Sequence, residues 1–256
     1  MKKTIAAILI LLSVLSLTAC SGRVPATVLS PDDLPGKTIG YLENSLTQYL
    51  IAGAFSDEKT VSCPSAADAA DRLKSGSLDC IIADRADASV ITRKARGIKI
   101  LNDPATSIGL GFLCARARSD LAGVLGKNIT ALEDGGVLEK IVNNYTGGKS
   151  YEYSPSETEF PETFTVAVFV CGEPYVYRSD DGELTGLEID ITHAVCDLIG
   201  INAEFIPLSR EDAETYVFTG RADFAIGGFY PDGTNSELGV VSAPYYTAEQ
   251  VIITRK

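Results

Sequence analysis

The residues able to do acid–base, nucleophilic or metal chemistry are few and scattered in this sequence. Its single histidine, His193, lies within an apolar-periodic stretch from Glu188 to Ile199 that reads as a helix laid on a sheet, so its turn serves packing rather than proton transfer. No G-x-S-x-G, H-E-x-x-H or G-x-x-x-x-G-K-[ST] occurs, so the local signatures of a hydrolase elbow, a zinc protease and a phosphate loop are missing. Asp180-Asp181-Gly182 would suit the start of a calcium loop, but the further oxygen ligands at loop spacing are absent. The triplet reads as a hairpin turn with Gly182 at the positive-φ position. Cys63, Cys80, Cys114, Cys171 and Cys196 show no C-x-x-C spacing, and most sit in or beside apolar strand-like runs, where a free thiol behaves as a small hydrophobe. They are expected to be reduced core residues, and no cofactor or metal is expected.

The remaining cysteine, Cys20, belongs to a different chemistry. Lys2 and Lys3 form a short basic start, Ile5 to Leu17 is almost wholly apolar, and Leu17-Thr18-Ala19-Cys20 closes the run with small residues, the pattern of a secretory signal too short for a stable membrane span. Its ending resembles the bacterial lipobox, which implies a diacylglyceryl group on Cys20 and a location on the extracellular face of the cell membrane. Loss of Lys2 and Lys3 would take the formal charge from -12 to -14, an acidic surface unsuited to nucleic acid or anionic lipid.

These residues must be placed by the elements around them. Ser21 to Leu34 contains Gly, Pro and Ser without apolar periodicity and reads as a flexible tether. From Pro35 the chain alternates strands and helices: Thr38 to Leu42, Leu46 to Phe55, Thr60 to Cys63, Ser65 to Lys74, Cys80 to Ala83. After a polar linker, 147–162, the rhythm returns with strand Phe164 to Val170, helix Glu188 to Ile199, strand Ala203 to Ile206, helix Glu211 to Phe218 and strand Phe224 to Ile226. This predicts an α/β protein whose sheets are mostly parallel and flanked by helices. The two series are internal counterparts: in 72–82 and in 216–226 a helix ends on Gly76 or Gly220, two residues pass, and Asp79 or Asp223 opens a buried strand. Two such lobes imply a cleft facing the loops after Leu42, Ala83, Val170 and Ile226. The expected division is a signal, 1–20, the tether, 21–34, a smaller lobe, 35–110, and a larger lobe, 111–256.

Val166-Ala167-Val168, Glu173-Pro174-Tyr175-Val176-Tyr177, the run 181–191, Gly220-Arg221-Ala222-Asp223 and Ser242-Ala243-Pro244-Tyr245-Tyr246 resemble the opening lobe of the family 3 extracellular solute-binding proteins. Residues 34–40, 76–84 and 133–141 resemble the remainder of that family. The resemblance implies a two-lobed, type II periplasmic-binding-protein-like fold, acting as a monomeric receptor that passes a small polar solute, an amino acid or an amine, to an ABC permease. The segment order is reversed, which implies a circular permutation. It also implies that Lys256 lies near Pro35 at the hinge, with one covalent strand crossing between lobes and 120–145 returning to the larger lobe.

In that family an Asp after the third strand of the second lobe meets the ligand's amino group, and Asp84 holds that place; an Asp there also caps a helix beginning near Ala86. Gly228 keeps the role of a Gly in the first lobe, Tyr230 replaces a hydroxyl residue, and Asn235 stands where an Arg for the ligand carboxylate is expected, a contact an amide cannot replace. Asn44 and Ser45 follow the first strand of the second lobe, Ser45 as ligand hydroxyl or helix cap. Arg210 stands in place of a covering aromatic, as a substitute guanidinium over the cleft or as a solvated residue. Of Tyr175 and Tyr177, two apart in an extended segment, one is expected in the core. Phe169 is either a stacking surface or a strand-end core residue. The competing readings are a sensor domain or degenerate surface protein on the same fold, or an enzyme similar to cyclohexadienyl dehydratase, for which no acid/base pair stands out.

Overall fold

A computed structural model describes residues 24–55, 59–148, 151–231 and 237–256; Cys20 and Asn235 lie outside them. Two five-stranded sheets make two lobes. The smaller lobe contains β1 (Thr38–Leu42), β2 (Lys59–Cys63), β3 (Cys80–Asp84) and β4 (Ile98–Leu110), with α1 (Leu46–Ala54), α2 (Ala66–Ser75) and α3 (Arg85–Lys94) between them. The larger contains β5 (Leu113–Ala115), α4 (Ser119–Asp134), α5 (Val137–Asn143), β6 (Thr163–Phe169), the hairpin β7 (Tyr177–Arg178) and β8 (Leu184–Thr185), α6 (Leu187–Ile199), β9 (Asn202–Leu208), α7 (Arg210–Phe218), β10 (Phe224–Ile226) and β11 (Gly239–Val241). The last strand, β12 (Tyr246–Arg255), returns to the smaller lobe and pairs antiparallel with β3 and β4.

The two sheets repeat one plan. The first runs β2-β1-β3-β12-β4 and the second, read in the same sense, β9-β6-β10-β5-β11. In each, three parallel strands are followed by one reversed strand that arrives from the other lobe. The repeated Gly-x-x-Asp does the same work in both. Gly76 and Gly220 take φ of 82° and 71°. Asp79 then accepts a hydrogen bond from the Thr38 amide at 2.9 Å, and Asp223 from the Thr165 amide at 2.9 Å, each latching the first strand of its lobe. All five described cysteines are buried and free, and burial pushes the Cys80, Cys114 and Cys196 thiols up to about 12. Asp180-Asp181-Gly182 forms the β7–β8 hairpin turn, closed by the Gly182 amide on the Ser179 carbonyl at 2.9 Å.

Several expectations need correction. Residues 24–34 are no tether: Val28 and Leu34 are buried with Ile39, Leu101 and Ile252, because a segment poor in apolar residues can still dock through two of them. Residues 246–255 belong to the smaller lobe rather than the larger, since the reversed central strand of that sheet is taken from the far end of the chain. Two segments therefore join the lobes, between β4 and β5 and between β11 and β12, not one. Lys256 sits away from the hinge, its amide on the Gly97 carbonyl at 2.9 Å. The 120–145 region does pack on the larger lobe, with Leu121, Leu125, Ile129, Leu138 and Ile141 in the same core as Val166 and Val195. Past residue 150 the polar linker is a strap held on α6 by Asp197, which accepts from the Tyr153 hydroxyl at 2.5 Å and the Ser156 amide at 2.9 Å. No helix among the described residues is long and apolar enough to cross a membrane.

Arg255 shows how tightly 24–34 is tied down. It is 3 % exposed, and its guanidinium donates to the carbonyls of Pro25 at 2.8 Å, Leu73 at 2.7 Å and Leu78 at 2.7 Å. Hydrogen bonds offset much of the cost of burying this charge, and its removal takes a donor from three carbonyls at once, of which that of Leu73 keeps the Gly76 amide. Arg255→Met should lose about 3 kcal/mol of stability, or about 6–12 °C in Tm. A loss under about 1 kcal/mol in urea unfolding would show that residues 24–28 are not held by this side chain.

Candidate functional site

The lobes meet at the carboxyl ends of β1, β3 and β6. β3 is buried along its whole length and ends on Asp84, where the chain turns into α3. Asp84 caps that helix, its Oδ1 accepting from the Ala86 amide at 2.9 Å. Its other oxygen, Oδ2, accepts from the Tyr175 hydroxyl of the opposite lobe at 2.5 Å. Behind it, the Thr47 hydroxyl accepts from the Asp84 amide at 3.0 Å and donates to Gln250 Oε1 at 2.7 Å, while the Gln250 amide stands 3.5 Å from Asp84 Oδ2. Both roles read for Asp84, helix cap and cleft-facing acid, are thus geometrically compatible. Burial pushes its carboxyl above the ordinary range, while the Tyr175 and helix-start hydrogen bonds pull it back. Of the tyrosine pair, Tyr175 is the buried one, 1 % exposed, and Tyr177 is half-buried.

The larger lobe's wall is built on Glu188, which the sequence presented only as the acidic start of a helix. It is fully buried. Its carboxylate accepts from the Gly227 amide at 2.7 Å, the Gly228 amide at 2.9 Å and the Tyr245 hydroxyl at 2.7 Å, fixing the turn after β10. The signal for it was an acid in the first turn of a helix, together with a Gly-Gly pair after a strand whose amides need an acceptor. On that turn lies Arg210, its guanidinium carbon 4.4 Å from the Phe229 ring centre and 5.5 Å from that of Tyr49 in the other lobe. Its Nη1 stands 3.4 Å from the Gly227 and Gly228 carbonyls, both weak contacts, and its Nε 3.7 Å from Glu214. Arg210 thus lies between aromatic rings of the two lobes, its side chain mostly out of solvent.

The other candidates fall around the same junction. Phe169 meets Tyr49 edge-on across the lobes, ring centres 4.9 Å apart. The Ser45 hydroxyl turns back to the Leu42 carbonyl at 2.7 Å and gives α1 no cap bond; Asn44 is exposed at φ 57°, its amide on Gln48 Oε1 at 2.8 Å. Tyr230 is half-buried against the larger lobe's core. At Gly228, with φ 72°, an added Cβ would stand 2.2 Å from Leu46 Cδ1, so the turn and α1 are in close contact. Leu46 and Leu50, from the smaller lobe, are buried in the core cluster of the larger one. The lobes are therefore closed on each other. His193 packs edge-on against Phe205 with ring centres 5.1 Å apart, and burial lowers its pKa. What the junction offers chemically is an acceptor for a cation at Asp84 and a weakly held guanidinium at Arg210, on opposite walls.

Residues 165–256 match the bacterial extracellular solute-binding proteins, family 3. The matched segment nearly coincides with 164–256, where the resemblance to that family's opening lobe was read. Among solved structures, a phosphate-binding protein of a phosphate ABC transporter from Streptococcus pneumoniae aligns over 86 % of this chain and 89 % of its own, at 8 % identity and a TM-score of 0.47. The unliganded, open L-cystine solute receptor of Neisseria gonorrhoeae aligns over 25 % of this chain and 28 % of its own, at 29 % identity and a TM-score of 0.25. The GluR0 ligand-binding core with L-glutamate aligns over 86 % and 85 %, at 13 % identity and a TM-score of 0.39. No curated protein matches the chain.

The junction also sets a pH dependence. Burial, with the Asp84 and Glu173 charges nearby, pushes the Asp87 carboxyl up to about 6 from an ordinary 3.8. Burial also raises Asp84, Glu188 and Asp190. An acid whose folded pKa lies above its unfolded value binds protons more tightly in the fold, so stability falls as pH rises between the two values and then levels off. Stability is therefore expected to decline as pH rises from about 4 towards the Asp87 value of about 6. Asp87→Asn should flatten part of that slope and gain on the order of 1 kcal/mol at neutral pH. Identical slopes in urea unfolding of both proteins would exclude this role for Asp87.

Proposed function

We propose that the chain is a lipid-anchored receptor on the extracellular face of the membrane that captures a small polar solute, an amino acid or an amine, between its lobes and presents it to an ABC permease. The observation that carries this reading is Asp84: a buried carboxylate at the lobe junction that forms no ion pair among the described residues, the nearby Arg85 being paired with Glu249, and that meets the other lobe through the phenol of Tyr175. A ligand ammonium entering the open cleft would replace that phenol as donor and gain a charge-assisted bond in a poorly solvated place. A ligand carboxylate would meet Arg210 on the facing wall, whose present contacts to Gly227 and Gly228 are long enough to yield. Closure through the two segments that join the lobes would then trap the solute by hinge motion.

The chain order suits the same reading. The segment similar to the family's opening lobe stands last, and β12 ends with the Thr254 hydroxyl on the Val28 carbonyl at 2.8 Å and Arg255 on Pro25. The end of β12 thus lies beside the residues that lead into the smaller lobe, and a circular permutation needs only such closeness. One observation favours a second reading, a degenerate surface protein on the same fold that no longer binds: Leu46 and Leu50 fill the junction with apolar side chains.

Calorimetry with a panel of amino acids and amines separates the two. The receptor reading expects at least one member to bind, with Asp84→Asn weakening it about tenfold or more. Arg210→Ala should weaken only ligands that carry a carboxylate. Binding by no member would favour the second reading, whereas binding indifferent to Asp84→Asn would contradict the part given to that carboxylate. For the anchor, Cys20→Ser should release the protein from membranes or leave its leader uncleaved, since firm anchoring needs two acyl chains; a processed mutant still firmly bound would contradict it.

A further inference from the structure

A second hollow, of about 480 Å³, opens on the larger lobe and shares no residue with the Asp84 and Arg210 walls. Three tyrosines line it: Tyr145 from the turn after α5, Tyr151 from the strap, and Tyr177 from β7, with Glu152 and Glu173 at its sides. Its floor is stiffened from α6, where Asp190 accepts a hydrogen bond from the Tyr145 hydroxyl at 2.8 Å. Glu152 and Glu173 line the hollow directly, and Asp190 lies behind Tyr145, near enough for its charge to act on the Tyr177 phenol. None of the three is ion-paired with a described Lys or Arg.

Aromatic faces carry negative quadrupole charge, and three tyrosines beside carboxylates that form no ion pair among the described residues make a site that attracts a cation and repels an anion. A small metal ion would need several oxygens at short range, and no group of acidic or His/Cys side chains among the described residues could hold one. A weakly hydrated, bulky cation suits ring faces and a hollow of this volume. We propose that this hollow binds an organic ammonium cation, of the quaternary or substituted-amine class, with Tyr151 and Tyr177 supplying ring faces and Glu152 and Glu173 the counter-charge. This site is independent of the solute-binding reading of the lobe junction.

The test is calorimetry of the full chain with choline and with the uncharged alcohol in which carbon replaces the choline nitrogen. Choline should bind about tenfold or more tighter than its carbon analogue, since each ring contributes on the order of 1 kcal/mol only to the cation. Tyr151→Leu and Glu173→Gln should each weaken choline about fivefold, while Asp84→Asn changes it less than about twofold. Should Tyr151→Leu fold poorly, the exposed Glu152→Gln carries the same expectation. Equal binding of choline and its analogue, or no binding at millimolar choline, would overturn the proposal. Loss of binding on Asp84→Asn with none on Tyr151→Leu or Glu152→Gln would also overturn it, and would place the cation at the lobe junction instead.

Discussion

A buried carboxylate with no ion pair among the described residues is the constraint on which the lobe junction turns. Asp84 ends a strand that is buried along its length, so its charge is removed from water in the closed arrangement, and hydrogen bonds compensate it more than the nearby Arg85 does. Two are short: one from the helix it caps, and one from Tyr175 across the cleft. The closed arrangement therefore depends on a phenol contributed by the other half of the chain, and any better donor competes with it. Leu46 and Leu50 add apolar area to the same closure. Such area stabilises by about 25 cal/mol per Å² and is indifferent to the charge state of Asp84. The lobes thus meet through a general apolar contact and a specific polar one.

Each lobe is tied to the other by the way its sheet is assembled. β12 is the reversed strand of the smaller sheet and β5 that of the larger, so each lobe holds a strand that enters directly from the other. The joining segments are anchored at both ends in sheet hydrogen bonds, which confines bending to a few residues. Asp79 and Asp223 add matching latches to the first strand of each lobe. On the larger wall Glu188 fixes the Gly227–Gly228 turn through two backbone amides, so Arg210 packs on a turn that is tied to the lobe from within.

Most elements were legible in the sequence because local rules and tertiary packing agree there. The helix from Ser65 is capped by its hydroxyl on the Asp68 amide and ended by Gly76, and the strand at 224–226 is bounded as read. Strand exchange was not legible, since nothing local in residues 246–255 says which sheet they enter. The docking of 24–34 was hidden for a related reason: a Pro- and Ser-rich segment is held by Val28 and by Arg255, more than two hundred residues away in sequence. At the junction, Asp84 was findable from its place after a strand. Glu188 left only a faint signal, an acid at a helix start and a Gly-Gly pair after a strand, because the amides it binds belong to a turn almost forty residues on. The filling of the cleft by Leu46 and Leu50 was equally hidden, for an amphipathic helix does not announce which lobe its apolar face enters.

The central claim, that the Tyr175 to Asp84 bond sets the balance between closed and open lobes, is tested most directly by a distance measured across the cleft. Spin labels on the exposed positions Lys74 and Lys127, one in each lobe, report that distance in wild type and in Tyr175→Phe. Phenylalanine keeps the ring and removes only the donor. Loss of a bond worth about 1.5–3 kcal/mol should lower the closed-to-open ratio by about ten- to a hundredfold, shifting the distribution to longer separations. A distribution identical to wild type would contradict the account and leave the apolar contacts of α1 as what holds the lobes together.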